Sequence, residues 1–164
     1  MKNQIYLLVI SLLMLSISCK EQSKSEQTSV NETTTPTEKR VAELLSDPVL
    51  SNEWEKEIQL DGKSKWLANK ETTQGVNNML NILENTTVGP EMNFKALGTK
   101  LKSEINVVIQ KCSMKGSSHD NLHVFLMPLI EKVDALQEVN DIEKSKALVA
   151  SIFYHLEVYT TYFE

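Results

Sequence analysis

"FKALGTKLKSEINVVIQKC", residues 94–112, carries its apolar side chains at Phe94, Leu97, Leu101, Ile105, Val108 and Cys112. Every step is three or four residues, so all six share one stripe of an α-helix. A stripe this narrow suits a helix packed beside others in a bundle. Three more segments keep the same rhythm. Upstream, "TTQGVNNMLNILEN" puts Val76, Met79, Leu80 and Leu83 on one face and stops before Gly89 and Pro90. Downstream come Leu122, Leu126, Leu129, Val133 and Leu136, then Val149, Ile152, Leu156, Tyr159 and Phe163. "NDIE", residues 140–143, reads as a capping box opening the last of these. Short connections at Gly116 and at Val139-Asn140 make neighbouring helices antiparallel. The expected fold is therefore all-α, an up-down-up-down antiparallel four-helix bundle with regular helices from about residue 69. Pro128 falls inside the third helix, where it deprives the Val124 carbonyl of its helical donor.

The chain ahead of the bundle is less regular. In residues 41–66, "VAELLSD" predicts two helical turns stopped by Pro48, and "EIQLDGKSKW" an irregular hairpin about Asp61-Gly62. This stretch is expected to pack across one end or side of the bundle, anchored by Trp54 and Trp66. Residues 20–40, "KEQSKSEQTSVNETTTPTEKR", hold almost nothing apolar. They cannot bury enough surface to offset the entropy of ordering, and read as a disordered tether spanning about 25 Å.

At the N-terminus, Lys2 precedes an apolar run from Ile5 to Ile17, followed by Ser18 and Cys19. The run is short for a membrane span, and its cationic flank and small pre-cysteine residue fit a secretory signal. Ending at Cys19, it resembles the lipobox of bacterial lipoproteins, with Ser16 where that family usually has leucine. The resemblance implies a signal peptide over residues 1–18 and an acylated Cys19 as first residue of the mature chain. It implies attachment of the protein to the bacterial outer membrane by lipid, outside the cytoplasm; with the polar composition that follows, the lipidated Cys19 and linker span residues 19–40 and the helical-bundle domain 41–164. "CKEQSKSE" loosely matches signals for surface display.

The formal net charge is −5, and the signal segment removes one lysine and no acid. A mildly acidic domain has no electrostatic reason to seek nucleic acid. With Cys19 acylated, Cys112 is the only free thiol of an extracytoplasmic protein, a setting in which thiols are protected by burial or by metal.

Cys112 opens the stretch "CSMKGSSHDNLH", residues 112–123. Cys112 and Met114 end the second helix of the bundle; His119 and His123 lie one turn apart at the start of the third, with Met127 a turn further. Counted from the Val139-Asn140 turn, His155 lies at nearly the level of His123. The sequence thus predicts convergence of Cys112, Met114, His119, His123, Met127 and His155. Thiolate and thioether favour Cu(I), and cysteine with two or three histidines also satisfies tetrahedral Zn(II). A plain corner accounts for the same residues: Cys112 as a small buried hydrophobe, Gly116 ending one helix, Ser117 or Ser118 capping the next. No GxSxG, HExxH or phosphate-binding glycine loop occurs, and no enzyme is expected. Two stretches, "KWLANKETTQGVNNM" (65–79) and "KCSMKGSSHDNLHVFLMPL" (111–129), resemble a group of small exported bacterial proteins without an assigned activity. That resemblance implies a shared domain beyond residue 58 and transfers no catalytic residue. The functional expectation is a lipid-anchored bundle that binds or senses copper or zinc. The alternative is a metal-free module whose exposed face binds an envelope protein or peptide.

Overall fold

The computed structural model describes residues 35–89 and 92–164. The expected signal peptide, the expected acylation site at Cys19 and most of the expected tether lie outside the described residues. The described elements are α1 (Pro36–Leu45), two 3-10 turns (Pro48–Leu50 and Glu53–Lys56), α2 (Lys70–Glu84), α3 (Phe94–Lys111), α4 (Ser117–Glu138) and α5 (Ile142–Tyr162). Helices α2 to α5 form the up-down-up-down bundle. α3 packs between α2 and α4, and α5 closes the ring against α4 and α2.

The stripes become the core. Phe94, Leu97, Leu101, Ile105 and Val108 of α3 are buried with Val76, Met79 and Leu83, four leucines and Val133 of α4, and all five stripe residues around α5. Helix ends differ in detail from the expected caps. Asp141, not Asn140, is the N-cap of α5, its carboxylate accepting from the Lys144 amide at 2.8 Å. α4 starts from Gly116 at φ 62°, a left-handed backbone that glycine adopts without strain, and no side chain caps it. α4 runs unbroken through Pro128.

Two glycines set the distance between helices. A methyl group on Gly75 of α2 would overlap Val108 Cγ2 of α3. One on Gly98 of α3 would lie 2.6 Å from Gln137 Cγ of α4.

The expected tether gives way to helix five residues early. Pro36 takes the first helical position, where its missing N–H costs nothing. Thr35 and Glu38 form a reciprocal capping box: the Glu38 amide donates to Thr35 Oγ1 at 3.2 Å, and the Thr35 amide to Glu38 Oε2 at 2.8 Å. α1 buries none of its residues.

Residues 48–58 form a strap against α4 and α5, pinned by Trp54 and Ile58, which are 5 % and 6 % exposed. Asp61 and Ser64 exchange both backbone hydrogen bonds at 3.0 Å around Gly62, the expected tight turn. Trp66 is half-buried; its indole donates to the Gln59 carbonyl at 2.6 Å, and its backbone pairs with Phe163 as an isolated parallel bridge. No described helix is long and apolar enough to cross a membrane.

Candidate functional site

α3 ends at Lys111, and Cys112 leaves it with an extended backbone (φ −60°, ψ 123°). The thiol keeps the stripe's direction, half-buried against the core and facing the first turn of α4. Its Sγ lies 3.6 Å from His119 Nδ1. One turn along α4, the His123 ring sits 4.5 Å from that of His119, centroid to centroid, and is exposed. Cys112, His119 and His123 are therefore neighbours, as the sequence predicts. Met114 is half-buried and packs against the core, while Met127 is 52 % exposed. As the side chains stand, no three of His, Cys, Asp or Glu are gathered to hold a metal ion among the described residues.

His155 does not join this corner. The helical count places it at the right level, since its Nε2 lies 2.8 Å from the Phe125 carbonyl, two residues beyond His123. The face is different: His155 is fully buried, and its Nδ1 is 3.3 Å from Lys132 Nζ. A carbonyl only accepts and an ammonium only donates, so Nε2 carries the proton and Nδ1 is the acceptor. Burial, then the adjacent ammonium, hold His155 down at about 3, against the opposing Phe125 carbonyl. It stays neutral.

Lys132 is the residue the sequence reading overlooked. It is 1 % exposed, and burial pushes its amine down to about 8, with the Glu55 carboxylate acting in the opposite sense. Nζ donates to Asn52 Oδ1 at 2.6 Å and to His155 Nδ1. Trp54 covers the pair, stacked on His155 at 4.1 Å and edge-on to Phe125 at 5.5 Å. Its indole N–H is buried and has no hydrogen-bond partner among the described residues. The signal was present in the periodicity: Phe125, Leu129, Lys132 and Leu136 continue one helical row, as do Leu148, Ile152, His155 and Tyr159.

Two polar centres therefore stand on one scaffold. One is a sulfur–imidazole pair at an exposed corner; the other is a lysine–histidine pair inside the bundle beneath the strap. Comparison with known protein families, curated proteins and solved structures found no match.

Proposed function

We propose that this is an extracytoplasmic protein, anchored to the outer membrane through acylated Cys19, that binds a soft metal ion at the α3–α4 corner, Cu(I) before Zn(II). The carrying observation is the 3.6 Å separation of Cys112 Sγ and His119 Nδ1. Two ligands held tetrahedrally at about 2.3 Å (thiolate) and about 2.0 Å (imidazole) stand about 3.5 Å apart, so the pair is already spaced for one ion. His123 supplies the third donor by a side-chain rotation, with Met127 one turn beyond it. Met114 is reachable only by leaving its packing, and His155 is left out because both its nitrogens are engaged. Sulfur sets the preference for Cu(I), and Zn(II) is the metal the same donors take when copper is absent.

Competition for Cu(I) between the reduced protein and a chelator of moderate strength tests this reading. One ion should bind, and Cys112→Ser should cause the largest loss because it removes the softest donor. His119→Ala and His123→Ala should each weaken binding and combine non-additively, since a chelate lost at one ligand is largely lost already. His155→Ala should leave copper uptake unchanged. Equal uptake by the wild type and the corner variants defeats the proposal. For the anchor, the mature chain should begin at Cys19 and carry acyl mass; an intact, unacylated Met1 terminus removes it.

A further inference from the structure

Between α1 and α5 lies an open groove of about 410 Å³, walled by Val41, Leu44 and Leu45, by Leu50 of the strap, and by Ala147 and Ala150. The apolar face of α1 is only partly covered there: Val41 is 50 % exposed and Leu45 82 %. An exposed ion pair, Arg40 to Asp141, ties α1 to the start of α5. The groove contains two polar side chains. Ser151 donates to the Leu50 carbonyl at 3.4 Å. Asn52 is the other, and its Oδ1 is the acceptor for Lys132.

Asn52 thus borders the groove and the buried ammonium at once. The ammonium has neutral partners, Asn52 and His155, and no carboxylate within ion-pair distance among the described residues. Two residues along from Asn52, the buried Trp54 indole N–H has no acceptor among the described residues. A buried cation separated from an apolar groove by one amide side chain lacks an anionic acceptor attached to an apolar body.

We propose that the groove binds an amphiphilic monocarboxylate of the fatty-acid class. The alkyl chain lies between α1 and α5, and the carboxylate takes the place of the Asn52 amide at Lys132. The ligand completes the packing of α1 and neutralises the buried charge in one step. Charge complementarity chooses this occupant over an apolar helix, which brings no anion to Lys132. The proposal is independent of the metal corner.

The test is titration of the full chain with sodium dodecanoate and with 1-dodecanol, followed by tryptophan fluorescence and calorimetry. Dodecanoate should saturate one site, and the alcohol should bind at least about tenfold more weakly, the usual effect of losing a charge-assisted hydrogen bond. Lys132→Met keeps the volume and should weaken dodecanoate by a similar factor while the circular dichroism is unchanged. Ala150→Phe, at an exposed position, should block the groove without disturbing the core. Equal binding of acid and alcohol overturns the proposal. So does indifference to either substitution, the absence of saturable binding, or dimerisation through α1 that dodecanoate fails to dissociate.

Discussion

Lys132 and His155 each occupy a place that the helical repeat reserves for a hydrophobe, and the protein's stability should show it. The unfolded chain takes up the His155 proton near pH 6.5 and the folded chain only at about 3. Between these values the unfolded state binds the extra proton, so stability falls as the pH falls through that window, by up to about 1.4 kcal/mol per unit. Lys132 acts likewise between 10.5 and about 8: its contribution is present above the window and already lost at pH 7. Thermal melts from pH 7 to 4 should therefore decline steeply in the wild type and less so in His155→Gln; parallel curves would refute the burial of a neutral imidazole. Lys132→Met should abolish the fall in stability expected as the pH drops from 10.5 to about 8; an unchanged slope there would refute the buried ammonium. At this scale the sequence was only partly legible. The rows containing Lys132 and His155 are regular, but no repeat says that a strap residue, Trp54, will close over them.

Among the elements, the four long helices were legible because each encodes its own inward face, and burial follows that face almost residue for residue. α1 was legible only in its second half, the turns expected of "VAELLSD"; its start was not, because it has no buried face to announce it. Its signal is the local chemistry of "TPTE", a cap and a first-turn proline at the end of a polar run. The close contacts of α3 were hidden for another reason: a glycine in a helical pattern does not reveal what approaches it. Alanine normally favours a helix over glycine by about 1 kcal/mol. At Gly75 that gain should be reversed, since Val108 is stiff and buried; Gly75→Ala should lose about 1–3 kcal/mol in urea melts. Gly98→Ala should lose less, because the half-buried Gln137 side chain can swing aside. The reverse order would mean that α2 and α3 separate more easily than α3 and α4.

For the whole molecule, the ring of α2 to α5 carries the core, and α1 adds no buried side chain to it. A chain shortened to residues 46–164 should keep its helical circular dichroism and melt within a few degrees of the longer form, while losing dodecanoate binding. Loss of the fold would show that α1 is structural. Global geometry also explains why His119 and His123 meet Cys112 while His155 does not. Counting residues from a turn gives height along an antiparallel pair, and His155 stands at the expected height. Azimuth depends on how each helix is rotated about its axis, which packing decides. His119 and His123 face the corner beside Cys112, and His155 faces the strap.

The glycine contacts on either side of α3 have a mechanical meaning. Signalling bundles commonly work by a helix sliding or ratcheting past its neighbours. Here, moving α3 along its axis would carry Val108 off Gly75 and Gln137 off Gly98, onto positions that bear a Cβ. Both neighbours would have to move apart at once. These contacts resist sliding of α3, and the element least held by burial is α1, which buries none of its side chains.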